Sequence, residues 1–198
     1  MTHGSSFIKA AVIGLLTATS IVATFISAPA MAATLSATEA ADLTFQREEE
    51  KLARDVYLTL YNRWGATIFN NIAGSEQKHT DTMLKMLLKY KLSDPAKTNI
   101  GEFTNTVLQA KYNELVAEGL TSYVDGLSVG ASIEELDMVD LQHAIQNTKR
   151  VDLLTAYQNL LEGSKNHLRA FVAGLAAQGV TYTPTLISHE LYDAIIGL

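Results

Sequence analysis

Apolar residues recur every three or four positions through most of the chain after residue 35, which is the spacing of one face of an α-helix. Ser36 followed by Glu39 is a capping-box pattern that favours a helix start. Gly126 and Gly130 mark a place where the fourth helix could be interrupted. The whole pattern predicts helices at residues 37–63, 66–91, 102–118, 122–148 and 152–178, and a short helix capped by Ser188.

The order and length of these helices predict an architecture. Neither a run of strict apolar–polar alternation nor an Asn-Gly hairpin turn occurs in residues 33–198, so the expected fold class is all-α. Four helices are long, and the extra short helix falls between the second and third long ones. Two antiparallel pairs joined by a long crossover are typical of the ferritin-like variant of the four-helix bundle. We therefore expect a ferritin-like four-helix bundle with a long crossover that contains an extra short helix, followed by a short C-terminal helix.

The first 32 residues have the features of a secretory signal peptide. Lys9 precedes an apolar run at residues 10–26, and the small-x-small pattern at residues 30–32 is typical of a signal-peptidase site. An uncleaved membrane anchor is the alternative, although the run is close to the lower length limit for crossing a bilayer. We expect a cleaved signal peptide at residues 1–32, a domain at residues 33–198, and a periplasmic or secreted location.

Composition narrows the chemistry that this domain can carry. The chain has 15 Lys and Arg residues against 21 Asp and Glu residues, a formal net charge of −6, which argues against a nucleic-acid or anionic-membrane partner. It contains no cysteine, which excludes disulfides, iron–sulfur clusters and thiolate metal sites. Any metal would therefore be held by oxygen and nitrogen ligands. The hydrophobic share of 47% is sufficient for a packed core.

The second long helix carries the strongest chemical signal, Glu76 and His79. Both lie on the apolar stripe that contains Phe69, Ile72 and Met83. A carboxylate is costly to bury without a partner, so something inside the protein must meet these two side chains. The Glu-x-x-His spacing is that of carboxylate-bridged di-metal sites in helical bundles. The alternative is a core histidine that is satisfied by its own carboxylate neighbour.

Two other helices offer further inward-facing groups. On the first helix, at least one of Glu49 and Glu50 is expected to face the core, and both are candidate metal ligands, whereas Glu48 is expected on a solvated face. On the last long helix, the apolar stripe includes His167. Ser164 stands three residues before this histidine, where a di-metal bundle would have a glutamate. The ligand set would then be one acid short.

The sequence does not decide which face of the helix at residues 122–148 points inward. One face carries Glu134 and Asp137, and the adjacent face carries Asp140 and His143. Glu135 is the third option. Acidic residues near a helix start are also ordinary complements to the helix dipole, so each of these signals is weak by itself.

Four longer strings resemble one known family. These strings lie at residues 47–57, 75–79, 133–141 and 163–171, and the likeness extends over residues 35–196. They resemble a ferritin-like domain family of unknown function, number 2202. The resemblance implies the bundle fold and no established activity. It also implies a set of metal positions: Glu50, Glu76, His79, Glu134 or Glu135 with Asp137, and His167.

These observations predict an exported, ferritin-like protein that binds one or two transition-metal ions in the bundle core. Iron is the expected metal, bound in a di-iron carboxylate site, and manganese and zinc are alternatives. Two bound irons would support a redox role linked to oxygen or peroxide. Metal ions are the expected partners. After cleavage of the signal peptide, we expect no association with a membrane. A homodimer is an open option. The alternative is a non-catalytic binding or structural bundle of the cell envelope with a vestigial, metal-free polar core.

Overall fold

The structure, a computed structural model, describes Met1 and residues 34–197. The predicted signal peptide lies outside the described residues except for Met1. Residues 34–197 contain six α-helices and no strand, which confirms the all-α prediction. The helices are α1 (Ala37–Trp64), α2 (Thr67–Lys89), α3 (Thr106–Gly119), α4 (Tyr123–Asn147), α5 (Val151–Ala177) and α6 (His189–Ile196).

Local signals fix both ends of α1. Ser36 accepts a hydrogen bond from the backbone of Glu39, whose side chain accepts one in return from the backbone of Ser36, so the predicted capping box is confirmed. Gly65 ends the helix in the left-handed conformation, with φ of 64°, which glycine adopts without steric cost. Only Gly65 and Ala66 separate α1 from α2, so the two helices form an antiparallel hairpin.

The four long helices surround a common core. The helix α1 packs against α2 and α4, and α5 packs against α4 and α2. The shorter α3 lies in the connection between α2 and α4 and contacts α1 and α4, and α6 packs on α5. The result is a helical bundle. None of the described helices combines the length and the apolar composition needed to cross a lipid bilayer.

The core of this bundle consists of two apolar clusters with a polar layer between them. One cluster includes Val56 and Phe171, and the other includes Leu43 and Leu87. On α1, α2 and α5, buried polar residues separate the two clusters, among them Glu50, Glu76 and Ser164. On α4 the buried acids Glu134 and Asp137 come just before Met138, which belongs to the first cluster. Polar side chains of all four helices meet inside the bundle.

The helix α4 is continuous from Tyr123 to Asn147, so an interruption at its glycines is not observed. An added Cβ at Gly130 would overlap the ring of Phe171 on α5. One at Gly126 would lie 3.2 Å from the carbonyl oxygen of Gly119. The two glycines therefore allow neighbouring groups to approach α4 closely, and the helix accommodates them without a break.

Candidate metal centre

Each of the four long helices contributes to the polar layer. The helix α1 places Glu50 there, α2 places Glu76 and His79, α4 places Glu134, and α5 places His167. Glu50, Glu76 and Glu134 are 1%, 2% and 2% exposed, so the carboxylates are removed from bulk water. The predictions that Glu76 turns into the core and that His167 faces inward are confirmed.

These five side chains form two triads that share Glu76. In the first, Nδ1 of His79 lies 2.7 Å from Oε2 of Glu76 and 3.2 Å from Oε2 of Glu50. In the second, Nδ1 of His167 lies 2.6 Å from Oε1 of Glu76 and 3.4 Å from Oε2 of Glu134. Within each triad the ligand atoms lie within 4.8 Å of one another, close enough to hold a metal ion. The two imidazole rings have centroids 5.6 Å apart.

Several buried atoms of this cluster lack a hydrogen-bond partner. They include Oε1 of Glu50, Oε1 of Glu76 and Nδ1 of His167. The last two atoms lie 2.6 Å apart and form an ion pair when the imidazole is protonated. Because an unpartnered buried polar atom costs about 1–3 kcal/mol, such a concentration of them in one layer requires an explanation. A cation bound between the carboxylates would supply the missing interactions.

Asp137 borders the two triads, one turn after Glu134 on α4. Ser164 of α5 donates a hydrogen bond to Oδ2 of Asp137, and both residues are buried. The other carboxylate oxygen, Oδ1, has no hydrogen-bond partner. Asp137 thus presents an unsatisfied carboxylate oxygen beside the cluster.

Two contacts orient the candidate ligands from outside. The hydroxyl of the buried Tyr57 donates a hydrogen bond to Oε1 of Glu134 over 2.5 Å. The imidazole of His79 packs on Gly163, where an added Cβ would lie 2.5 Å from Cε1 of the ring. Periodicity places Tyr57 on an inward face, but it gives no sign of the Gly163 contact, since that contact depends on the distance between α2 and α5.

The histidines and the shared glutamate have strongly shifted pKa values. Burial by itself lowers the pKa of His79, but its contacts with Glu50 and Glu76 outweigh this effect and raise the pKa to about 11. Burial likewise opposes the charge on His167, yet the charge of Glu134 and the contact with Glu76 raise its pKa to about 10. Burial would raise the pKa of Glu76, but contacts with both imidazoles lower it to about 2.

The remaining acids of the cluster resist ionisation. Burial, followed by the charge of Asp137, raises the pKa of Glu50 well above its usual value. Burial also raises the pKa of Glu134, although the charge of His167 opposes it. Burial and the charge of Glu134 raise the pKa of Asp137 to about 7. Without a metal, the layer therefore holds protons that divalent cations would displace on binding.

Known proteins resemble this chain in sequence and in fold. Residues 39–197 match the family described as "Uncharacterized protein domain (DUF2202)". The chain belongs to this family. A relative from Methanocaldococcus jannaschii, "Uncharacterized protein MJ0754", is 50% identical over 163 residues, which make up 82% of this chain and 88% of the relative. The crystal structure of hypothetical protein MJ0754 from Methanococcus jannaschii DSM 2661 matches with a TM-score of 0.81 and 50% identity, covering 83% of this chain and 94% of that chain.

Glu49 lies outside both triads of this DUF2202 domain. Its Oε2 accepts a hydrogen bond of 2.8 Å from Gln46, and its carboxyl interacts with that of Asp140. Burial, followed by the charges of Asp137 and Asp140, raises the pKa of Glu49 well above its usual value. The sequence left open which of Glu49 and Glu50 faces the centre, and the structure brings only Glu50 into a triad.

Glu135 is also kept away from the cluster. Its carboxylate accepts hydrogen bonds from the hydroxyl of Tyr182 and from the backbone N–H groups of Thr185, Leu186 and Ile187. The side chain is fully buried, and its partners all come from the segment between α5 and α6. Glu135 therefore fixes this segment to the bundle. Of the other α4 alternatives, Asp140 is half-buried and His143 is exposed.

Proposed function

We propose that this chain is a ferritin-like four-helix bundle that binds two transition-metal ions in its polar layer, with Glu76 shared between them. Glu50 and His79 would complete the coordination of one ion, and Glu134 and His167 that of the other. The single observation that carries the proposal is the pair of buried triads that share one carboxylate. Such a set of carboxylates and imidazoles on facing helices is the ligand pattern of di-metal bundles.

The donor set favours iron. Carboxylate and imidazole ligands without thiolates suit iron and manganese, and zinc is the alternative for a site without redox activity. When bound, two irons supply electron transfer to oxygen or peroxide. The residues of the chain then have defined roles: Tyr57 orients Glu134, Gly163 leaves room for the ring of His79, and the apolar clusters on both sides limit the access of water.

The location of this activity follows from the N-terminal pattern. A signal peptide at residues 1–32 would deliver the domain to the periplasm or to the exterior. Iron redox chemistry there would act on oxygen or peroxide that reaches the cell envelope. Detection of the mature chain beginning near residue 33 in the periplasmic or secreted fraction would support this part of the proposal, and recovery of the full-length chain from the cytoplasm would contradict it.

A thermal-shift experiment tests metal binding. Ferrous iron, added without oxygen, is expected to raise the Tm of the wild-type chain, because a ligand that binds only the native state stabilises it by mass action. The double variant Glu76→Ala with His79→Ala should show no rise. His143→Ala is the matched control, since this histidine is exposed on α4, and it should respond as the wild type does. An unchanged Tm in the wild type with iron, manganese and zinc would contradict the proposal.

The metal-free polar network is a second candidate because direct contacts between imidazoles and carboxylates already exist. Nδ1 of His79 is within hydrogen-bond distance of both Glu50 and Glu76. This candidate predicts that Glu76→Ala alone destabilises the metal-free chain, since it leaves both histidines without their shared partner. It also predicts no stabilisation by any metal, which separates it from the first proposal.

A further inference from the structure

The structure assigns to Asp137 the role of a second shared carboxylate, held in place by Ser164 and contributed by α4 instead of α5. This inference rests on the proposed di-metal centre and specifies how its ligand set is completed. It explains why α5 can carry a serine three residues before His167. Asp137 belongs to neither triad, and this role gives its buried carboxylate a function.

The helices α2 and α5 correspond in the spacing of their inward-facing polar residues. On α2, the residue three positions before His79 is Glu76, whose carboxylate is shared by both triads. On α5, the residue three positions before His167 is Ser164. Residues three apart lie on the same helix face, so Ser164 occupies on α5 the position that Glu76 occupies on α2. A serine side chain is too short to bridge two ions from there.

The carboxylate of Asp137 reaches this position from α4. The hydroxyl of Ser164 is hydrogen-bonded to Oδ2 of Asp137. Ser164 is 0% and Asp137 is 5% exposed, so the pair lies inside the bundle. Oδ1 of Asp137 is unpartnered. The carboxylate of Asp137 therefore lies at the end of the serine side chain, where a longer acidic side chain on α5 would place its own carboxylate.

The charge of two bound divalent ions calls for a fourth carboxylate. Three ionised carboxylates, those of Glu50, Glu76 and Glu134, would leave one positive charge uncompensated when two divalent ions and two neutral imidazoles are bound. An uncompensated charge in a buried layer is strongly unfavourable. The ionised carboxylate of Asp137 makes the centre neutral. No Lys or Arg approaches these groups closely enough to form an ion pair in the described part of the chain.

The position of Asp137 relative to both triads agrees with a shared ligand. Among the neighbouring charges, that of Asp137 raises the pKa of Glu50 most, and Glu50 belongs to the first triad. The charge of Glu134, which belongs to the second triad, raises the pKa of Asp137 most, and Glu76 and His79 also affect this pKa. Asp137 therefore interacts with both halves of the centre.

Stoichiometry measured by anaerobic titration with ferrous iron tests the inference. The wild-type chain should bind two ions. Asp137→Asn, which keeps the size of the side chain and removes the charge, should bind one ion tightly and lose the second. Ser164→Ala should keep both sites but weaken the second by about 10–100-fold, the usual effect of removing a partner that orients a ligand. Asp140→Asn, one turn further along α4, is the matched control and should bind two ions.

An exchange variant makes the test specific to the position of the carboxylate. Asp137→Ser combined with Ser164→Glu moves the acid from α4 to α5 and should restore the second ion. Two ions bound with unchanged affinity in Asp137→Asn, or one ion in the exchange variant, would overturn the inference. Should Asp137→Asn fail to fold, as judged by circular dichroism, Ser164→Ala and the exchange variant decide. A wild-type chain that takes up no iron would instead defeat the proposed function, and this inference with it.

Discussion

Two faces of the helix α1 bury charge, and they differ in how that charge is satisfied. The outward face carries Arg47, Glu48, Lys51 and Asp55, all 9% exposed or less. Lys51 contacts Asp55 and donates hydrogen bonds to the carbonyl oxygens of residues 99 and 102, at 2.9 and 3.1 Å. Glu48 accepts hydrogen bonds of 2.6 and 3.0 Å from the backbone of residues 104 and 105. Each charge of this outer network therefore meets an opposite charge or the connection between α2 and α4.

The inward face of the same helix carries Glu50, whose Oε1 has no partner. Its neighbours across the bundle are mostly other acids, and none of the four residues of the outer network has an unpartnered side-chain atom. Every charge of the outer network thus has partners within the fold. The inner layer has buried carboxylate oxygens without partners, which a bound cation would satisfy. The difference shows that the supply of partners, more than burial itself, separates a structural charge from a candidate ligand.

The largest effect on metal binding is expected from a change at Glu76. Glu76→Ala should abolish metal binding, because both triads lose their shared ligand. If free metal is about a thousand times its Kd, binding contributes about 4 kcal/mol, a rise of about 10 °C in Tm for a domain of this size. The variant should show no rise in a thermal scan. Asp55→Asn in the outer network should lower the Tm of the metal-free chain yet keep the full response to metal.

The next effect is the loss of one outer charge. Lys51→Met should destabilise the domain by about 3 kcal/mol, since it removes one partner of the buried Asp55. Glu50→Gln should change the stability of the metal-free chain by less than about 1 kcal/mol, because the amide keeps the size of the side chain and burial already disfavours the charged carboxylate, which raises the pKa of Glu50. Urea unfolding of metal-free protein measures both. Equal losses of unfolding free energy in the two variants would contradict the distinction between the outer network and the inner polar layer.

The pH dependence sharpens the contrast between metal-free and metal-loaded protein. The folded pKa values of His79 and His167 are about 11 and about 10, above the ordinary value of 6.5. Their stabilising contribution is therefore fully present below about pH 6.5 and is lost as the pH rises through about 10 to 11. The raised pKa values of Glu50 and Glu134 act in the same direction above their ordinary values. The Tm of metal-free protein should fall between about pH 6.5 and pH 9.

Metal affinity should change in the opposite sense over this range, since metal ions compete with protons for the imidazoles and carboxylates. Calorimetric titration with manganese in two buffers of different ionisation enthalpy measures the number of protons released. We expect tighter binding and fewer protons released at higher pH. Binding that is independent of pH would show that the metal does not bind these groups.

The smallest effect is expected at a pair of helical glycines. Gly163→Ala would place a Cβ 2.5 Å from the ring of His79 and should weaken metal binding by about 10-fold by displacing this ligand. Gly74→Ala is the matched control, because nothing lies within 4 Å of a Cβ there. It should stabilise the domain by about 0.5–1 kcal/mol, the usual gain for glycine to alanine in a helix, and leave metal affinity unchanged. Equal affinities in both variants would contradict the role of Gly163.

The sequence predicts the helices of this domain well because each is marked by local signals. The capping box at Ser36 marks the start of α1 in both the prediction and the structure. The inward position of Glu76 follows in the same way, from an apolar stripe of regular helical period. The short helix was predicted to begin near residue 102, whereas α3 begins at Thr106, because Asn105 caps it by accepting hydrogen bonds from residues 107 and 108.

Contacts between segments that are distant in sequence could not be predicted. The expectation that Glu48 lies on a solvated face is wrong: it is 3% exposed because the connection after α2 folds over it. Glu49 and Glu50 are adjacent, so periodicity alone could not decide between them. Glu135 was a candidate ligand, but the segment after α5 supplies four donors to it. The contact of Asp137 with Ser164 likewise depends on the packing of α4 on α5.

The iron content of the wild-type chain tests most directly whether the buried triads bind metal. Metal-free protein is reconstituted anaerobically with ferrous iron, passed through a desalting column and analysed for metal and protein. We expect two tightly bound iron ions per chain. A chain that retains no iron, and no manganese or zinc when these are offered in its place, would contradict the claim that the buried triads around Glu76 form a metal centre.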